Sequence, residues 1–390
     1  IASTSAGEGY LTDATIKLRQ WQANANVNYV VDEHQSVTLN NVFIATRRRS
    51  NDKMHPDDEM NNVPQQLTKN ITGLGYQIRF SRWNANVFGK MYRLYSSTHK
   101  LMNQFTEEQK WEQLTSRKHR YGYGAAATYY ILPSLQAKVS FEHAFRMPEA
   151  VEMFGDGMVQ KSNPDLKPES SNNFNAGFLY DQNLGSHRLQ AEVNYIYRDT
   201  KDFILKGVSL TNNPTTSYDN IGNVHTRGIE AMLGYSYKRN LHVSGNLTFQ
   251  DIKDKMRYEK SQNTYVGDGM NENITYGQRL PNIPYFFMNG HADYNFLDFG
   301  KKGNSLSLNY DVQYIHDYYL SFTGLGAKAT KKVIPEQFCH NVSVGYSMKD
   351  GRYSILLECT DISNEKLYDN YRLQKPGRSF NVKFRYYITK

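Results

Sequence analysis

Residues Phe141 to Tyr180 read FEHAFRMPEAVEMFGDGMVQKSNPDLKPESSNNFNAGFLY. At its start Phe141, His143 and Phe145 alternate with Glu142, Ala144 and Arg146. At its end Phe174, Ala176, Phe178 and Tyr180 alternate with Asn173, Asn175, Gly177 and Leu179. A period of two gives each flank one apolar and one mainly polar face, the signature of a strand. Met147-Pro148, Asn163-Pro164 and Lys167-Pro168 lie between them. Proline has no N–H to donate and restricts the residue before it, so these dipeptides end any continuing ladder. The stretch predicts one strand up, a long crossing, and one strand down.

The same plan recurs along the chain. Ala23, Ala25, Val27 and Tyr29 alternate with asparagines; Leu189, Ala191, Val193, Tyr195 and Tyr197 alternate with polar partners; Phe380, Val382, Phe384 and Tyr386 do so near the end. Counting by period two gives about fifteen strands. Short turns are expected at 32–35, 84–86, 132–134, near 185, 238–240, 300–303 and 350–351, alternating with long polar connections such as 50–69, a charged loop ending near 118, 211–216 and 251–282. Strict alternation of short and long connections suits an antiparallel transmembrane β-barrel, with short turns on one side and long loops on the other.

Composition agrees. The 390 residues include 30 Tyr, and aromatics make up 13%. Mean hydropathy is −0.69 and no apolar run reaches the ~18 residues of a spanning helix. Barrel strands escape that test, because lipid-facing and inward residues alternate. Tyrosines near strand ends, such as Tyr29, Tyr121, Tyr180, Tyr237 and Tyr294, suit interfacial girdles. The net charge of +8 comes from scattered cations, densest at Arg47-Arg48-Arg49, and no nucleic-acid-binding module is present. Cys339 and Cys359 flank the Asp350-Gly351 turn; pairing about that turn puts Cys359 near Val342 and Cys339 near Ile362, on opposite faces, so no disulfide is expected. Ile1 follows no visible signal peptide and reads as a mature terminus or as a point inside a longer chain.

The central stretch resembles the barrel of TonB-dependent outer-membrane receptors. The matching residues are Ala144-Phe145-Arg146-Met147-Pro148, Glu152-Met153-Phe154-Gly155 and Asn163-Pro164-Asp165-Leu166-Lys167-Pro168-Glu169. Further resemblances follow in order: Asn223 with Arg227-Gly228-Ile229-Glu230, then Arg279-Leu280-Pro281-Asn282, then Pro376-Gly377-Arg378-Ser379-Phe380 before the last strand. The family usually ends on an aromatic; here the last residues are Ile388-Thr389-Lys390 after Tyr387.

The resemblance implies a 22-stranded plugged barrel, of which residues 1–390 would be the C-terminal two-thirds, with the plug and first strands lying upstream. It implies energy-coupled uptake through TonB, insertion by the barrel-assembly machinery, outer-membrane lipid around the strands and no cofactor. The Lys167-Pro168-Glu169 version of the motif favours a metal chelate such as a ferric siderophore; cobalamin, haem and glycan importers, and a passive porin, are the alternatives. Candidate ligand contacts lie in the outer loops: Arg146, Glu149, Glu152, Phe154 and Asp156 in one, and Tyr258, Tyr265, Tyr276, Tyr318, Tyr319 and Phe322 in others. Pro148, Gly155, Asn163, Pro164, Pro168, Glu169, Arg227, Gly228, Glu230, Pro376, Gly377 and Arg378 are expected to be structural. His55, His119, His143 and His225 show no ligand spacing. The acidic group Glu149, Glu152, Asp156 and Glu169 lacks a nucleophile–base pattern, so no enzyme is expected.

Overall fold

The computed structural model describes residues 2–5, 8–11, 13–54, 56, 62–101, 111–155, 160–209, 215–260, 270–325, 327, 331–370 and 373–388. The main sheet has 15 strands. They are β1 Ala14–Val30, β2 Gln35–Asp52, β3 Pro64–Arg79, β4 Trp83–Leu101, β5 Trp111–Leu132, β6 Leu135–Arg146, β7 Glu169–Leu184, β8 His187–Lys201, β9 Val224–Tyr237, β10 Leu241–Asp254, β11 Phe286–Leu297, β12 Ser305–Ile315, β13 Gln337–Met348, β14 Tyr353–Thr360 and β15 Ser379–Tyr386. Each bonds to its neighbours in chain order, which makes the sheet one long meander. The fold class read from the alternation is the one observed.

The expected turns at 132–134, near 185, 238–240, 300–303 and 350–351 all join adjacent strands. One expectation needs correction. The turn assigned to Asn84-Ala85-Asn86 lies at Phe80-Ser81-Arg82, and the three supposed turn residues pair with Arg79, Ile78 and Gln77. Ring packing decides the position: Phe80 lies 4.9 Å from Trp83 and 5.0 Å from His34, between ring centroids. The strands also run further toward the long loops than expected. β2 reaches Asp52, β3 begins at Pro64 and β5 at Trp111, because pairing with a neighbouring strand supports polar sequence that has little strand signal alone.

The long connections carry structure that periodicity did not reveal. Phe203–Ser209 pairs with Thr215–Ile221, Tyr258–Lys260 with Met270–Glu272, Tyr318–Tyr319 with Val333–Ile334, and Tyr368–Asn370 with Leu373–Gln374. Ala2–Ser5 and Glu8–Leu11 form a further small pair. A single short helix, α1, spans Ala150–Phe154 among the described residues.

The chain divides into two compact units. The first holds Ile1–Ala127, Ser140–Phe174 and Arg198–Val224. Its core is Leu67, Tyr92, Leu94, Met147, Met153, Phe154, Leu166 and Ile204. Removing one such side chain from water stabilises by roughly 1.5–3 kcal/mol. This core sits on one face of β3 and β4; the opposite face of β1 to β3 exposes Trp21, Val27, Tyr29, Leu39, Phe43 and Leu74. On the covered side of β5, Gly122 and Gly124 make room for rings. A Cβ at Gly124 would stand 2.5 Å from Phe88 Cζ, and one at Gly122 would stand 3.0 Å from Tyr92 Cε2.

The second unit holds Thr128–Val139, Asn175–Tyr197 and His225–Lys390. Its faces are also unlike. One exposes Val193, Tyr195, Ile229, Leu233, Val243, Leu247, Phe249, Leu308, Val344 and Leu357. The other carries amides and ion pairs: Asn289 to Asn246, Gln313 to Asn289, Asn309 to Ser343, Lys138 with Glu192 and Lys383 with Glu358. A sheet with a wide apolar face open to its surroundings and a polar face behind it inverts the soluble arrangement and fits strands facing lipid. The cysteine register is the expected one, with Val342 opposite Cys359.

Candidate ligand-handling site

The crossing between β6 and β7 is pinned at nearly every expected motif residue. Arg146, the last residue of β6, bonds through Nη1 to both Glu152 oxygens at 3.0 and 3.1 Å and pairs through Nη2 with Glu169 at 3.0 Å. Glu152 also accepts from the Glu149 N–H, closing a capping box on α1. Such a box satisfies two N–H groups that a helix start leaves unpaired. Glu149 pairs with Lys69 of β3. Arg48 donates to the carbonyl oxygens of Phe154 and Gly155, both at 2.6 Å, which fastens the end of α1 to β2.

The second half of the crossing is fastened to the hairpin 203–221. Asn163 donates to Tyr218 O and to Asp219, both at 2.9 Å, and its own N–H bonds Met153 O. Lys167 and Asn220 exchange backbone-to-amide bonds, Lys118 caps Leu166 O, and Glu169 accepts the Ile204 N–H at 2.7 Å. Pro148 and Leu166 are fully buried, and Pro168 is buried; Pro164 is half-buried. Gly155 has φ +65°, a region that favours glycine. Burial raises the Tyr218 phenol above its ordinary value, the Glu152 carboxylate adds to this, and the Arg146 guanidinium opposes it.

Of the expected ligand contacts in this crossing, Arg146 and Glu152 therefore bond each other, Phe154 is buried in the core, and Glu149 is more than half exposed beside Lys69. Asp156, Tyr265 and His55 lie outside the described residues.

In the second unit the structure brings Tyr258 and Tyr276 to one cation. The Arg257 guanidinium lies 5.4 Å from the Tyr258 ring centre and 5.9 Å from that of Tyr276. Tyr276 also lines a recess of about 250 Å³ with His225, Arg227, Asp251 and Lys253. Tyr318 and Tyr319 pair with Ile334 and Val333, burial raises the Tyr318 phenol, and Phe322 follows half-buried. Gly228 is held by close approach, since a Cβ there would stand 2.6 Å from Phe249 O. Arg227 bonds His225, and Glu230 is exposed on β9. Gly377 and Arg378, after Pro376, dock on Asn364.

One site went unforeseen. A recess of about 350 Å³ on the polar face of β10 to β13 is lined by Asn246, Asn289, His291, Asp311, Gln313 and Asn341, among others. His291 faces Asp311 at 2.7 Å and Asp293 at 3.3 Å. Gly245 and Gly290 contribute backbone to its lining. This wall can offer both donors and acceptors to a polar solute. Its residues are scattered over four strands, and only the register joins them.

Among solved structures the chain is similar to the copper transporter OprC, with a TM-score of 0.71 and 12% identity over 96% of this chain and 57% of that one. It is similar to the FrpB iron transporter from Neisseria meningitidis (F3-3 variant), with a TM-score of 0.64 and 12% identity over 94% and 54% of the two chains. It is also similar to the ferric yersiniabactin uptake receptor FyuA from Yersinia pestis, with a TM-score of 0.63 and 13% identity over 96% and 55%. At these identities the likeness is one of fold, and the chain spans a little over half the length of each. No curated protein sequence matches it. The family model for the TonB dependent receptor-like β-barrel matches residues 105–360. That match covers more than half of the sequence and takes in the crossing and the polar wall; the chain belongs to the TonB-dependent receptor-like β-barrel family.

Proposed function

We propose that this chain is the C-terminal part of an outer-membrane barrel that takes up a metal chelate, a ferric siderophore above all, with energy delivered through TonB. The family match over 105–360 carries the reading. Two further features support it. The similar structures are a copper transporter, an iron transporter and a ferric yersiniabactin uptake receptor. The chain also presents tyrosines around a cation at Arg257, where aromatic faces and a guanidinium suit an anionic, aromatic chelate. Tyr258, Tyr276, Tyr318, Tyr319, Phe322 and Glu149 are the proposed outer contacts, and the amide wall at Asn246, Asn289 and Gln313 is the proposed polar path.

In this reading the barrel performs no chemistry. It binds outside, and a plug domain moved by TonB opens the way. The test is uptake of radiolabelled ferric siderophore by whole cells that carry the complete protein, with and without a protonophore. Uptake that stops when the proton gradient collapses is the expected result. Uptake that continues unchanged identifies a passive porin and ends the energy-coupled reading.

A further inference from the structure

The antiparallel course of β11 and β12 does not stop where the strands end. Within them Phe287 stands opposite Ile315. At their ends the His316 N–H bonds Phe286 O, and the Tyr285 hydroxyl meets His316 Nε2 at 3.0 Å. Further out the Asn282 N–H donates to Tyr319 O at 2.6 Å, and the Gly324 N–H donates to Gln278 Oε1 at 2.7 Å. Tyr285, Asn282 and Gln278 thus meet His316, Tyr319 and Gly324 in turn, one side falling in number as the other rises. These rungs join two separate connections, 255–285 between β10 and β11 and 316–336 between β12 and β13.

The outermost rung is made by a side chain that is itself held. Gln278 Nε2 donates to Ile274 O at 2.7 Å. The Gln278 N–H bonds Thr275 O, and its carbonyl accepts the Asp254 N–H. Asp254 is buried at the end of β10 and accepts from Asn273 and Thr275, so the Gln278 backbone is tied to the sheet. On the other connection the Leu325 N–H bonds Phe322 O, closing a turn that presents Gly324. The contact leaves no room for a side chain at 324, since a Cβ there would stand 2.2 Å from Gln278 Nε2. Tyr276 and Phe322 each lie two residues from this clamp. A loop already fastened to its neighbour loses less conformational freedom when it binds a ligand than a loop that is free.

We propose that these two connections act as one ligand-contact unit, in which Gln278 is the positioning residue that sets Tyr276 on one connection against Phe322 on the other. The bonds stand by themselves; that the unit serves a chelate rests on the function proposed above.

The test uses the complete protein in detergent micelles and two variants that break the outer rung from opposite sides. Gln278→Met keeps the length of the side chain and removes both amide bonds. Gly324→Ala drives the amide away from the second connection. Amide hydrogen exchange, followed by mass spectrometry, reads each connection separately. Each variant should speed exchange about fivefold in both 270–280 and 316–325, the effect of losing one hydrogen bond. Lys301→Gln, at a short turn, should change neither. Faster exchange only around the substituted residue would overturn the proposal. Binding is read by titration calorimetry with gallium(III) tris-catecholate, a redox-inert probe for an aromatic ferric chelate. Tyr276→Ala and Phe322→Ala should each weaken binding about fivefold or more. The loss from Phe322→Ala should shrink in the Gln278→Met background; equal losses in both backgrounds would overturn the positioning role. If the native protein does not bind the probe, the chelate reading of these loops fails, while exchange coupled across both connections still supports the joined unit and uncoupled exchange still overturns it.

Discussion

Arg146 shows how one side chain can organise a long crossing. It ends β6, and its guanidinium holds Glu152 near the start of the crossing and Glu169 at its end. Glu169 in turn accepts the Ile204 N–H. Glu169→Ala removes one carboxylate from the guanidinium and leaves a buried N–H unbonded, a loss of about 2 kcal/mol. Equilibrium unfolding of the refolded chain in urea should show this as a lower midpoint with an unchanged slope. Glu149→Ala, which takes the partner from the buried Lys69 ammonium and opens the capping box of α1, should lower the midpoint by a comparable amount. Tyr218 gives a prediction in pH. Its phenol is raised in the folded chain, so its contribution is fully present below the unfolded value of about 10 and is lost as pH rises through the higher folded value. Stability of the native chain should fall more steeply above about pH 10 than that of Tyr218→Phe, as followed by circular dichroism along an alkaline series.

At the scale of elements, glycine and ring positions set how β4 and β5 approach. A Cβ at Gly124 would meet both the Phe88 ring and Phe141 O, the latter at 2.7 Å. Gly124→Ala should lower stability by about 1–3 kcal/mol. Phe88→Ala in the same chain should recover part of that loss, since the ring clash is removed and the carbonyl clash remains. A double-mutant cycle on urea midpoints measures the coupling, and strict additivity would show that the ring is not the obstacle. Much at this scale was legible in the sequence: strand number, the turn at Asp350-Gly351 and the cysteine register all followed from period two and turn chemistry. The turn at 80–82 was not, because Asn84-Ala85-Asn86 has turn composition while the packing of His34, Phe80 and Trp83 sets the turn earlier. The hairpins in the long connections were also hidden, being too short and polar to show a period.

At the scale of the whole molecule, the meander predicts sidedness. Turns such as 238–240 should face one side of a membrane and connections such as 270–285 the other. With Cys339 and Cys359 replaced by serine, Ile274→Cys should react with a membrane-impermeant maleimide on intact cells expressing the complete protein. Arg239→Cys should react only after the outer membrane is permeabilised. Equal reactivity of both on intact cells would contradict the spanning arrangement.

The sequence by itself determined the alternation of faces, the number of strands, the order of short and long connections and the family motifs, because each of these is written in residues close together along the chain. The tertiary structure alone decided which motif residues bond one another and which remain open. Arg146 meets Glu169 across the whole crossing, and Arg48 meets Phe154 from more than a hundred residues away. The amide wall at Asn246, Asn289 and Gln313 arises in the same manner. Each is a product of strand register, and register sums over many weak backbone and side-chain pairings that no single window of sequence contains.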